Sequence, residues 1–313
     1  MCLTTPSRSP AIAPPAGHQP VLCREVIDLL AVPRGGCAID ATIGLGGHAA
    51  LLLNELGPDG LLIGMDADEG NLKLARENLG SSRNVRLFHG HFENIEEVLK
   101  DVGITTVDTV LADLGISSNQ LDDPARGFSF STDGPLDMRM DRQLPTTAAD
   151  LANKLSQTEL ADLIYHNAQE RGSRRIARAI CMARHDQRIT TTTQLADIIC
   201  KALKQNPDSH RSKIHPATRS FMALRIAVNR ELEALEQFVQ ALPRILKPGG
   251  RAGVISFHSL EDGLCKRAFR KMKTEGCVNI ITKRPITPTA QERRENPRSR
   301  SAKLRVVERT STD

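Results

Sequence analysis

Three short apolar runs in the first half of the chain each lead to an aspartate, and helical sequence fills the gaps between them. They are Cys37-Ala38-Ile39 before Asp40, Leu61-Leu62-Ile63-Gly64-Met65 before Asp66, and Val107-Asp108-Thr109-Val110-Leu111 shortly before Asp113. A further run, Val85 to His89, lies between the last two, and helices are expected from about His48 to Leu56 and Glu69 to Leu79. Continuous apolar strands alternating with helices are covered on both faces, which specifies an α/β fold with a parallel sheet. Ligands of such sheets bind at the carboxyl ends of the strands. Asp40, Asp66 and Asp113 are therefore expected to line one cleft.

The segment Asp40-Ala41-Thr42-Ile43-Gly44-Leu45-Gly46-Gly47-His48 joins the first strand to its helix. Glycines there allow a tight turn and the close approach of a ligand to the backbone. Asp66 follows Gly44 by 22 residues, where a carboxylate reaches ribose hydroxyls. It also suits a helix N-cap before Glu69. Two cofactors fit. Gly44-x-Gly46-x-x-Ala49 satisfies a permissive dinucleotide fingerprint, which keeps NAD in view. Asp40 favours S-adenosylmethionine, because a carboxylate beside the loop repels a pyrophosphate but attracts an ammonium and a sulfonium. A plain strand-to-helix turn also accounts for Gly46 and Gly47. His48 is either an exposed residue or a neutral contact to the amino-acid part of the cofactor.

After Leu121 the pattern changes. Asp122 to Pro145 is rich in Gly, Pro, Ser and Asp without a period, and helical patterns dominate from Ala148 to Leu203. From about His215 the α/β pattern returns. Phe221, Leu224, Val228, Leu232, Leu235, Val239 and Leu242 step by three and four along one helix. Lys247-Pro248-Gly249-Gly250 then turns into a strand, Ala252 to Ser256. The expected organisation is a tail at 1–17, one α/β domain at 18–122 and 213–313, and a helical insertion at 123–212. The tail holds Pro6, Pro10, Pro14 and Pro15, lacks the apolar stretch of a signal peptide and reads as disordered.

Composition narrows the function classes. No apolar run approaches the roughly 20 residues that span a bilayer. The seven cysteines form no C-x-x-C pair, which fits reduced thiols in the cytoplasm. With 3% aromatic residues, no Trp and one Tyr, an aromatic platform for single strands is disfavoured. The net charge of +5 is mild, but it is concentrated. One cluster is Arg171, Arg174, Arg175, Arg178, Arg184 and Arg188. The other runs from Lys283 and Arg284 through Arg293 and Arg294 to Arg309. Both suit phosphate binding; a solvated helix face and a flexible tail are the plain alternatives.

Longer segments carry a family resemblance. They are Asp113-Leu114-Gly115-Ile116-Ser117-Ser118-Asn119-Gln120-Leu121-Asp122, Arg126-Gly127-Phe128-Ser129-Phe130, Asp133-Gly134-Pro135-Leu136-Asp137-Met138-Arg139-Met140, His215-Pro216-Ala217-Thr218-Arg219, Ile255-Ser256-Phe257-His258-Ser259-Leu260-Glu261-Asp262 and Asn296 to Arg305. In this order the chain resembles the bacterial ribosomal RNA small-subunit methyltransferase H, or MraW, family from about His18 to Val307. The resemblance implies a class I (Rossmann-like) S-adenosylmethionine methyltransferase sheet of seven strands with an inserted helical domain. It implies methyl transfer to the N4 amine of a cytidine in small-subunit ribosomal RNA. Cofactor contacts carry over to Gly46, Gly47, His48, Asp66, Phe92, Asp113 and Gln120, with Gly44 in the same loop. Phe92 suits an adenine surface or simple core packing. Two places depart from the family: Asn119 replaces a usual proline, and His166 to Glu170 replaces a Tyr-Gly-Glu-Glu stretch.

The N4 amine of cytosine is a poor nucleophile, so catalysis must position it and accept its hydrogen bonds. Asp113 with Ser117 or Ser118 is expected to flank it; loop capping is the alternative for the serines. A target base must leave its stack. Phe128 and Phe130 are candidates to stack on it, or else anchor their loop in a core. Arg139 and His258 are counted with the substrate-facing residues, and Arg298, Arg300 and Lys303 with the phosphate-binding ones. No metal site is expected, since His258, Glu261 and Asp262 form a single cluster. Three other readings stay open: an NAD-dependent oxidoreductase, a non-catalytic RNA-binding assembly factor, and a methyltransferase acting on DNA. Monomer and dimer are both open, and no heptad favours a zipper.

Overall fold

The computed structural model describes residues 20–80, 83–205 and 215–311. The described residues fall into two compact units, one within Met1–Gly115 and Ala234–Asp313, the other within Ile116–Glu233. These boundaries differ from the expected 122/123 and 212/213. The helices Ser118–Asp122 and Thr218–Asn229 thus belong to the helical unit. The expected tail at 1–17 lies outside the described residues.

The first unit is built on seven strands: β1 Cys37–Asp40, β2 Leu61–Asp66, β3 Val85–His89, β4 Val107–Asp113, β5 Leu246–Ser256, β6 Val278–Ile280 and β7 Lys303–Arg309. Their order across the sheet is β3-β2-β1-β4-β5-β7-β6. Strands β1 to β5 pair in parallel, and β7 runs antiparallel to both β5 and β6. This is the seven-stranded α/β sheet expected of a class I methyltransferase.

Strand alternation explains why both faces are apolar. In β4, Val110 and Ala112 point to one core and Leu111 to the other. In β1, Ile39 and Ala38 divide the same way. One face is covered by the helices Ile95–Val102, Glu231–Ile245 and Ser259–Thr274, which contribute Leu99, Phe238 and Phe269. The other is covered by Cys23–Leu30, Gly47–Leu56 and Glu69–Leu79, which contribute Leu30, Leu52 and Leu79. The strand order reverses between β1 and β4, where parallel sheets open a crevice at their carboxyl edge.

Two local expectations are corrected. The apolar period from Phe221 to Leu242 spans two helices, Thr218–Asn229 and Glu231–Ile245. Arg230 adopts a left-handed φ of 50° and its N–H returns to the Ile226 carbonyl, which ends the first helix while the period runs on. Lys247 to Gly250 is not a separate turn. It bulges within β5, so that Leu246 pairs with Val107 and Arg251 with Thr109.

The second unit has its own core, with Leu160, Ile164, Ile176, Ile180, Leu195 and Ile199 at its centre. Three of its helices start at the capping boxes Thr147 with Asp150, Ser156 with Glu159, and Thr191 with Gln194. The aperiodic stretch after Asp122 folds around buried polar side chains. Arg126 donates to the carbonyls of Arg139 and Met140 at 2.8 Å, and Asn229 donates to the Met138 carbonyl at 2.8 Å. Glycine is required at Gly127, with φ 71°, because a Cβ would lie 2.2 Å from the Pro135 carbonyl oxygen.

Candidate active site

The glycine loop is shaped by hydrogen bonds to the neighbouring strands. Ala41 donates to the Leu111 carbonyl and Ile43 to the Met65 carbonyl, each at 2.8 Å. Gly44 and Gly46 both take positive φ, 51° and 86°. Gly46 then caps the helix Gly47–Leu56. At Gly47 a Cβ would lie 2.5 Å from Cγ of Pro20, so the segment from Pro20 lies directly against the start of this helix.

Asp66 pins the loop. Its Oδ2 accepts from the Gly44 N–H at 2.8 Å. Its Oδ1 accepts from the Asp68 N–H at 2.8 Å and from Asn71 at 3.1 Å. The helix N-cap is Asp68, whose side chain accepts from Gly70, and not Asp66. A carboxylate has about four acceptor positions, so capacity remains for a hydroxyl. Burial lifts the Asp66 pKa to about 6 against the pull of these N–H donors.

Asp40, Asp66 and Asp113 do gather at the strand ends. Asp40 is buried, and burial pushes its pKa to about 7; His48 and the Thr42 N–H oppose the shift, while Asp113 and Asp66 add to it. Asp113 is likewise pushed to about 7 by burial and then by Glu261. Its backbone N–H donates to Thr42 Oγ1 at 2.7 Å. Its Oδ1 is buried and has no hydrogen-bond partner among the described residues. The groups acting on these three acids are other carboxylates, His48, Asn71 and backbone N–H groups.

His48 is buried rather than exposed, and burial lowers its pKa although Asp40 opposes that. Nε2 lies 2.8 Å from the Val21 carbonyl, and Nδ1 lies 3.5 Å from Asp113 Oδ2. Phe92 opens a short 3-10 helix, half-buried, with its ring edge-on to Phe238 at 5.4 Å. Its core-packing role is therefore real, and part of its surface stays open.

The remaining expected site residues take other places. Ser117, Ser118 and Gln120 open the second unit. Ser117 and Gln120 form a capping box for the helix Ser118–Asp122, with the Ser117 N–H donating to Gln120 Oε1 at 3.0 Å. Phe128 is buried in the helical core, so it anchors its loop instead of offering a face to a base. Phe130 packs between His215, at 4.5 Å, and Phe221, at 4.7 Å. Arg139 is committed to its own loop. It grips Asp137 through Nε and Nη2, each at 2.8 Å, and donates to the Arg142 and Leu144 carbonyls. His258 caps the helix Ser259–Thr274 in a box with Glu261. Lys303 pairs with Asp262 at 3.3 Å, beside Arg305 on the same carboxylate at 2.7 Å. Arg298 and Arg300 are exposed on a 3-10 helix, with Arg293 and Arg294 exposed on the short helix before it.

Sequence reasoning missed Val21, Thr42 and Glu292. Thr42 stood inside the glycine loop and was open to notice. Val21 acts through its carbonyl, and Glu292 accepts from the Leu22 N–H at 2.7 Å, 270 residues away; neither leaves a local signal.

A family model described as the MraW methylase family matches residues 15–310. The chain belongs to that family. Among its relatives, the ribosomal RNA small subunit methyltransferase H of Trichlorobacter lovleyi is 47% identical, covering 93% of this chain and 98% of its own. Proteins of the same name from Syntrophobacter fumaroxidans and Crocosphaera subtropica are 44% and 46% identical, each over 95% of this chain and over 97% and 90% of their own. In this member of the MraW methylase family, the acid-lined edge at β1, β2 and β4 lies at the carboxyl ends of the strands. No helix among the described residues is long and apolar enough to cross a membrane.

Proposed function

We propose that the protein transfers a methyl group from S-adenosylmethionine to the N4 amine of a cytidine in small-subunit ribosomal RNA, in the cytoplasm. The observation that carries the cofactor is the trio Asp40, Asp66 and Asp113 around the glycine loop, each lifted in pKa by burial. Burial disfavours the ionised form of these carboxylates, and a ligand bearing an ammonium and a sulfonium offsets that cost. A pyrophosphate would deepen it, which weighs against NAD. Membership of a methylase family, and the shared name of the relatives, supports the RNA substrate.

The cofactor supplies an electrophilic methyl on a sulfonium. Around it, the remaining acceptor capacity of Asp66 suits ribose hydroxyls, the backbone of Gly44 to Gly47 admits close approach, and the open part of Phe92 suits an adenine. Asp113, whose side chain is 22% exposed, offers Oδ2, the oxygen facing His48, as the acceptor for an amine N–H. Such an acceptor orients the amine and takes its proton as nitrogen bonds to carbon. Phosphate contacts fall to exposed side chains of the first unit: Arg284, Arg293, Arg294, Arg298 and Arg300. A non-catalytic RNA-binding protein has no use for the buried acids, whose ionisation burial disfavours.

Titration calorimetry with S-adenosylmethionine and, separately, NAD tests this reading. Saturable binding of the first and none of the second supports it. Binding of NAD alone overturns it.

A further inference from the structure

The segment from Pro20 to Leu22 is a strap across the glycine loop, and both ends of its hold are visible. Pro20 seats on Gly47. The Leu22 N–H donates to Glu292 Oε1 at 2.7 Å, with Leu22 in the left-handed region at φ 55°. Between them, the Val21 carbonyl faces Nε2 of His48 at 2.8 Å. A carbonyl can only accept, so Nε2 must carry a proton. In the neutral ring Nδ1 is then bare, and it faces Asp113 Oδ2 at 3.5 Å. Two lone-pair atoms held face to face at the edge of hydrogen-bonding reach form a gap that one proton fills.

We propose that His48 and Asp113 form a one-proton receptacle, filled in the free protein, emptied when a cationic cofactor binds, and refilled by the proton that the substrate amine loses. This rests on the methyl-transfer reading above. The balance is simple. The carbon–nitrogen bond forms as the carbon–sulfur bond breaks, and sulfur keeps the electron pair of the broken bond. Nitrogen then sheds one proton. Asp113 accepts it, and the proton ends between Oδ2 and Nδ1. The positive charge lost from sulfur thereby reappears as a proton at the same strand edge, so the net charge of the site is unchanged through the reaction. His48 acts through Asp113 and is a positioning residue. The charged and titratable groups facing the pair are Asp40 beside His48, Asp66 beside Asp40, and Glu261 and Cys23 near Asp113. Burial pushes the Asp113 carboxyl up and the His48 ring down, which places the shared proton on the carboxyl oxygen.

The test is nitrogen-15 NMR of the His48 ring in the full chain, titrated at about pH 6.5 with S-adenosylmethionine and, in parallel, with S-adenosylhomocysteine, whose sulfur is neutral. The expected result has three parts: Nε2 protonated throughout, a hydrogen-bonded Nδ1 in the free protein, and an Nδ1 shift to the bare value with the cationic ligand alone. Asp113→Asn, whose amide cannot lose the proton, should abolish that ligand-dependent shift. If S-adenosylmethionine binds while Nδ1 stays unchanged, or if the proton sits on Nδ1 with Nε2 bare, the receptacle is overturned and the methyl-transfer reading stands. If S-adenosylmethionine does not bind, both fall.

Discussion

The Gly44 N–H donates to Asp66 Oδ2 at 2.8 Å, so the acid at the end of β2 sets the shape of the loop after β1. Asp66 thus has two tasks, holding the loop and offering spare acceptor capacity to a ligand. Asp66→Asn removes the acceptor facing Gly44 or opposes that N–H with an amide donor. A hydrogen bond to a charged group contributes about 1.5–3 kcal/mol. The expected outcome is a rise of roughly tenfold to a hundredfold in KM for S-adenosylmethionine, with a smaller change in kcat, read by steady-state kinetics.

Stability should depend on pH in an unusual direction. The folded pKa values of Asp40, Asp66 and Asp113, about 7, 6 and 7, lie above the ordinary carboxylate value of about 3.9. The folded state therefore binds more protons than the unfolded chain between roughly pH 4 and 7. The stability these groups contribute is fully present below about pH 4 and is lost as pH rises through their folded pKa values. Asp40→Asn removes one such group and keeps an oxygen for the Thr42 N–H. Relative to the parent, its Tm should be higher at about pH 8 and not at about pH 5, measured by thermal denaturation without ligand.

The strap against Gly47 gives a steric prediction. Gly47→Ala puts a Cβ 2.5 Å from Pro20 Cγ. Overpacking of this kind costs about 1–3 kcal/mol and displaces the Val21 carbonyl from His48. Tm should fall by several degrees, and affinity for S-adenosylmethionine by about tenfold. Gly90→Ala meets nothing within 4 Å and serves as the control, with both quantities unchanged.

These positions show what a sequence makes legible. Apolar runs ending in aspartate reveal β1, β2 and β4 because covered strands must be apolar along their whole length. Asp40, Asp66 and Asp113 follow from where such strands end. The interrupted helix at Arg230 was hidden because the apolar period continues through a left-handed residue. Phe128 and Arg139 looked available because residue type does not tell a loop's anchors from its exposed face. The Val21 carbonyl and Glu292 were out of reach because backbone acceptors and partners 270 residues apart leave no pattern.

Exposed arginines on the C-terminal segment predict a strong salt dependence. Each phosphate contact contributes a slope of about −0.7 to −0.9 in log affinity against log salt. Arg294→Glu combined with Arg300→Glu should lower RNA affinity by tenfold or more in a filter-binding assay, and make that slope shallower by about 1.4 to 1.8. Affinity for S-adenosylmethionine should not change. An unchanged salt slope would remove this face from the RNA contact.

The central claim is methyl transfer at the acid-lined strand edge. Its most direct measurement follows labelled methyl from S-adenosylmethionine into small ribosomal subunits that lack the modification, with the parent protein and Asp113→Ala side by side. The account predicts label recovered as N4-methylcytidine with the parent, and a turnover lower by about a hundredfold or more with Asp113→Ala. Label in another nucleoside, or normal turnover without the Asp113 carboxylate, would contradict it.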